Sequence, residues 1–103
     1  MKKVVLLIRP FRLDEVRDVL DEVGIGGIVV TEVKMPGPSH VVGLDFVAKL
    51  KLEMVVTDDM AEDVVDAVMR VADGAACEDL LYVLDVEDAV RIRTGERGEE
   101  ALL

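Results

Sequence analysis

Arg91-Ile92-Arg93, near the carboxyl end, is the clearest concentration of positive charge in a chain with 12 Lys+Arg against 22 Asp+Glu. Alternation from Val90 to Gly98 predicts a strand, in which residues two apart share a face, so both guanidinium groups point one way and Ile92 the other. Planar guanidinium forks suit phosphate or carboxylate groups. The spacing reads as an anion site; the plainer alternative is a pair of surface arginines bridged to some of the abundant acids.

Other chemistry is thinly represented. His40 stands without a second His or Cys nearby, so a metal site is not expected. Cys77, beside Glu78 and Asp79, sits in a negative setting that disfavours a reactive thiolate. No Ser-His-Asp order, Walker A sequence or HExxH occurs, and adjacent acids such as Glu99-Glu100 carry little catalytic information among so many carboxylates. No catalytic residue is assigned. A lone cysteine excludes an internal disulfide and makes a reduced, cytoplasmic protein the default expectation.

The 103 residues suffice for a single domain, 1–103, and a two-layer core. An apolar fraction of 51 %, with only Phe11, Phe46 and Tyr82 as aromatics, makes that core aliphatic. A formal net charge of −10 argues against nucleic-acid binding, which needs a basic face. The apolar run at the amino end stops at Arg9-Pro10, too short to enter a membrane or direct export.

The elements that must position the arginines follow in order. Val4 to Ile8 is a continuous apolar run, the pattern of a central strand. Leu13, Val16, Val19, Leu20 and Val23 then recur at helical spacing, with Gly24 as the stop. Ile25 to Lys34 reads as a strand, and Met35 to Gly43, with two prolines, as a loop. Leu44 to Val56 alternates, placing Ala48, Leu50, Leu52 and Met54 on one face. Asp59 and Glu62 have the spacing of a capping box ahead of a second helix striped by Met60, Val64, Ala67, Val68 and Val71. Leu80 to Leu84 is a fourth strand. Strand-helix-strand twice predicts an α+β, ferredoxin-like βαββαβ subunit, a four-stranded antiparallel sheet with both helices on one face. The bare sheet face predicts an oligomer.

Several stretches resemble the PII nitrogen-regulatory signal-transduction proteins: Ile8-Arg9-Pro10-Phe11-Arg12-Leu13-Asp14-Glu15-Val16-Arg17, Val30-Thr31-Glu32-Val33-Lys34, Lys49 to Val56, and Arg91 to Ala101. The resemblance implies a homotrimer that regulates enzymes, transporters or transcription, is not a catalyst, and binds adenine nucleotide between neighbouring subunits. It places Arg91 and Arg93 at that cleft, with Gly37, Lys49, Glu53 and Val55 lining it and Val29 where the family has an adenine-contacting threonine. The departures are also informative. The long partner-docking loop is reduced to Met35–Gly43, its modified tyrosine motif is absent, and so is the glutamine that completes the magnesium and 2-oxoglutarate site. A Gly-Asp-Gly-Lys phosphate segment is replaced by Ala75 to Asp79. The expectation is therefore weak binding of ADP, AMP or ATP, or of a small anion, with no required cofactor, and a protein partner met through the short loop. The alternative is a structural trimer, drifted or trimmed, that has lost sensing. An acylphosphatase-like enzyme on the same fold would need an asparagine, and the chain has none.

Overall fold

A computed structural model describes residues 1–36, 46–71 and 79–103. Four strands, β1 (Lys2–Ile8), β2 (Val29–Pro36), β3 (Phe46–Val56) and β4 (Leu80–Asp85), form one sheet in the order β2-β3-β1-β4. All three pairings are antiparallel. Helices α1 (Leu13–Val23) and α2 (Asp58–Val71) connect β1 to β2 and β3 to β4 and pack on each other and on the sheet. This is the expected βαββαβ fold.

The alternation in β3 decides which face is covered. Leu50, Leu52, Met54 and Val56 are buried together with Val4, Leu6 and Ile8 of β1 and with Val16, Leu20, Val64 and Val68 of the helices. Burying each such side chain contributes about 1.5–3 kcal/mol, so this single aliphatic cluster carries the stability of the domain. The central position of β1 explains its unbroken apolar run: it has strands on both sides and a helix layer above.

Local signals set the ends of the helices. Gly24 adopts φ 94°, and its N–H bonds back to the Leu20 and Asp21 carbonyls, the left-handed stop that glycine takes without a Cβ penalty. At the start of α2, the Thr57 hydroxyl accepts a hydrogen bond from the Met60 N–H at 3.3 Å. Thr57, not Asp59, is therefore the capping residue; the expected Asp59–Glu62 box is displaced because Asp58 and Asp59 already lie inside the helix.

The strand expected to end at Lys34 runs on to Pro36, where a loop from Met35 was expected. Met35 and Pro36 continue β2, paired with Val47 and Phe46. Pro36 is tolerated because β2 lies at the sheet edge, where a missing N–H can face outward. The rest of the Met35–Gly43 stretch, with Gly37 and His40, lies outside the described residues, as do Ala75 to Glu78. No described helix is long and apolar enough to cross a membrane.

Candidate functional site

The face of the sheet turned away from the helices carries most of the residues singled out by sequence. Val29 is the register partner of Glu53, and Lys49 and Val55 share that face of β3. Across the sheet, Val29, Glu53, Val5 and Tyr82 form one row, and Val55, Lys3 and Leu84 the next. Val29 is 59 % exposed and Leu84 45 %. Lys49 is buried and is not without an interaction of its own.

Glu53 is the electrostatic centre of this face. Its Oε1 lies 3.1 Å from Lys51 Nζ and 3.2 Å from Lys3 Nζ. Hydrogen bonds from Lys51 and then Lys3 hold the Glu53 carboxyl below the ordinary carboxylate range, and the bond to Glu53 raises the Lys51 ammonium in turn. A carboxyl with a depressed folded-state pKa contributes stability above its unfolded pKa of about 4.3 and loses it as pH falls through the folded value. Glu53→Gln is thus expected to lower Tm near neutral pH and to cost progressively less below about pH 4, as parallel melts of the two proteins will show. An equal penalty at both pH values contradicts this coupling.

Arg91 and Arg93 are not in a strand. Residues 92–94 form a turn, closed by Gly95 N–H to Arg91 O at 2.7 Å and by Arg91 N–H to Glu96 O at 2.8 Å, above a single bridge between Val90 and Arg97. The expected common face therefore does not exist. Alternation misleads here because Thr94-Gly95 reverses the chain, with Gly95 at φ 77°. Asp88 clasps the base of the turn: its Oδ2 accepts from Arg97 Nη2 at 2.7 Å and from Nε at 3.1 Å, which holds the Asp88 carboxyl below its ordinary range. Arg93 is exposed, and Ile92 is 98 % exposed at the tip. Arg91 is half-buried, and its Nη2 donates to the Ala101 carbonyl at 3.1 Å and to the main-chain oxygen of Leu103. Its partners are main-chain oxygens of the short 3-10 helix Gly98–Leu102 and the residue after it, and not acidic side chains.

A second cationic cluster escaped the sequence reading. Arg9 and Arg12 flank the exposed ring of Phe11, their guanidinium carbons 4.9 and 5.8 Å from its centroid. Asp79, just before β4, lies between them, with Oδ1 3.6 Å from Arg9 Nε and Oδ2 3.3 Å from Arg12 Nε. The Arg9 N–H also donates to Asp79 Oδ1 at 3.2 Å. Arg12 Nη1 donates to the Val71 carbonyl at 3.2 Å, a charge placed on the negative end of α2. The Arg12 and Asp79 side chains are 9 % and 10 % exposed. The Asp79 charge is thus shared by two guanidinium groups of its own subunit.

Among the described residues no group of three His, Cys, Asp or Glu side chains could hold a metal ion. The arrangement offers instead an open sheet face with a central ion-pair cluster and, in the carboxyl-terminal turn, guanidinium groups able to meet an anion.

Residues 1–96 match the family model described as "Nitrogen regulatory protein P-II". The chain is 41 % identical to a nitrogen regulatory protein P-II of Bradyrhizobium diazoefficiens, 42 % to one of Klebsiella oxytoca and 41 % to nitrogen regulatory protein P-II 1 of Escherichia coli. Each alignment covers 99 % of this chain and 100 % of the relative. They run over 114 positions against 103 residues here, so the relatives carry residues that this chain lacks. With the fold, the residue match and full-length coverage in agreement, the chain belongs to the nitrogen regulatory protein P-II family.

Proposed function

We propose that this chain acts as a cytoplasmic signal-transduction regulator of the P-II kind, not an enzyme, assembled as a homotrimer whose intersubunit clefts take an adenine nucleotide or small anion weakly. The observation that carries this reading is the agreement with P-II proteins along nearly the whole chain, the Arg91 to Arg97 segment included in part. The trimer is supported by the bare sheet face, where Val29, Val55, Tyr82 and Leu84 stay accessible in a single subunit. In that assembly Arg91 and Arg93 supply charge to the phosphates, while Lys49, Glu53, Val55, Val29 and Gly37 line the cleft. Weak affinity follows from the loss of the glycines and the lysine of the phosphate segment, which Ala75 to Asp79 replace. A protein partner is met through the Met35–Gly43 segment.

The experiment is a thermal-shift titration with ATP, ADP and AMP on the wild type and on Arg91→Ala/Arg93→Ala. A ligand at ten times its dissociation constant stabilises by about 1.4 kcal/mol, a shift of roughly 5–10 °C for a domain of this size. The double variant is expected to lose that shift entirely. Stabilisation of the variant equal to that of the wild type removes the arginines from the site.

One observation favours a second reading, a structural trimer without sensing: Arg91 is already engaged by Ala101 and Leu103. Saturating nucleotide without any shift in wild-type Tm selects it.

A further inference from the structure

We propose that the carboxyl-terminal segment 98–103 is an internal competitor for the Arg91 anion site, so that anion binding and docking of this segment exclude one another. The inference rests on the reading of Arg91 as an anion ligand and adds a regulated response to it.

The geometry of Arg91 carries the argument. A guanidinium binds a carboxylate or phosphate by presenting a fork of parallel N–H donors. Arg91 Nη2 has both of its protons directed at backbone oxygens, those of Ala101 and Leu103. An anion taking the fork must displace those two oxygens. At the Ala101 carbonyl the exchange is favourable in kind, because bonds from a guanidinium to an anion are stronger than bonds to a neutral carbonyl.

The segment is built to be displaced. It is a 3-10 helix of five residues with no buried side chain, and such helices have poor hydrogen-bond geometry. It leaves the turn at Gly98, whose φ is 68° and whose N–H bonds to the Ala89 carbonyl at 2.9 Å. It also carries Glu99 and Glu100, exposed acids that accompany the docked carbonyls. Docking therefore both occupies the donors and brings negative charge to the neighbourhood; release removes both obstacles and exposes an acidic segment. Occupancy of the site is thereby converted into a change in segment 98–103, which is a signal that a partner surface can read.

Gly98 provides the test. A Cβ placed there meets nothing within 4 Å, so Gly98→Val acts only through the positive φ that valine cannot comfortably adopt. It should loosen the segment without touching the core. Full-length wild type, Gly98→Val and Arg91→Ala are titrated with inorganic pyrophosphate and with ATP by calorimetry, and the amide resonances of Ala101 and Leu102 are followed by NMR. The expected result is that ligand moves the wild-type amides to random-coil positions and that Gly98→Val binds about three- to tenfold more tightly, since a competing closed state lowers apparent affinity by its population. Arg91→Ala should show free amides without ligand. Ligand binding in which the amides stay fixed and Gly98→Val has wild-type affinity overturns the competition while leaving the nucleotide reading intact. Absence of binding to both wild type and Gly98→Val overturns the two together. Binding to Gly98→Val alone supports a segment that is fully closed in the wild type.

Discussion

Asp79→Ala is expected to lower folding stability by about 3 kcal/mol and Tm by roughly 10–20 °C, although the residue lies in no helix and outside the main apolar cluster. The reason is electrostatic. Asp79 is the shared counter-charge of Arg9 and Arg12, and Arg12 is nearly inaccessible to solvent. Removing one partner of a buried pair leaves the other charge uncompensated where water cannot reach it, and that costs far more than the pair contributes. Arg12 also has Glu15, but at 3.5 Å and half exposed, so relief from that side is small. The control is Asp79→Leu with Arg12→Leu, which removes both charges and should recover most of the loss. A stability change for Asp79→Ala within the scatter typical of surface substitutions, about 0.5 kcal/mol, contradicts the assignment.

Tyr82→Glu combined with Leu84→Glu is expected to turn the assembled protein into a monomer with its subunit fold retained. Both residues lie on the open face, at the ends of the rows that run through Val5 and Glu53 and through Lys3 and Val55. Neither packs in the core, so circular dichroism should show the wild-type helix and strand content. Each carboxylate buried without a partner at an interface costs several kcal/mol, so together they should raise the dissociation constant more than about a thousandfold. Sedimentation velocity reads the result directly. A wild type that is monomeric at all concentrations, or a variant with the wild-type sedimentation coefficient, removes this face from the interface.

What was legible in the sequence divides by range. Val4 to Ile8, the Leu13 to Val23 stripe, Gly24 and the alternation of β3 are local patterns, and local patterns determined the strands, helices and covered face. The rows that carry Val29 with Glu53 and, next to it, Val55 followed from register once the topology was known. The Arg9–Arg12–Asp79 cluster was not legible, because Asp79 is 70 residues from Arg9 in the chain and only the packing of β4 beside β1 brings them together. The turn at Arg91 was misread for the opposite reason: the local alternation was genuine, but one bridge at Val90–Arg97 and a left-handed Gly95 outweighed it. Pro36 shows the same limit, since a proline signals a loop unless its strand is an edge, and edge status is a property of the whole sheet.

The sheet order has a consequence for how the chain comes to be folded. β1 is synthesised first, yet it is the strand flanked on both sides, by β3 and by β4. Its two strand partners begin at Phe46 and Leu80, so the Val4 to Ile8 segment can pack on α1 early but has no strand neighbour until β3 exists and no second one until β4 does. Closing such distant pairings is slow, and an unpaired aliphatic strand is the kind of segment that joins other unfinished chains. Lys2 and Lys3 directly before it, and Arg9-Pro10 directly after, are charges and a strand breaker at the two ends of that vulnerable stretch. The same residues that later pair with Asp85, Glu53 and Asp79 serve first as gatekeepers during synthesis.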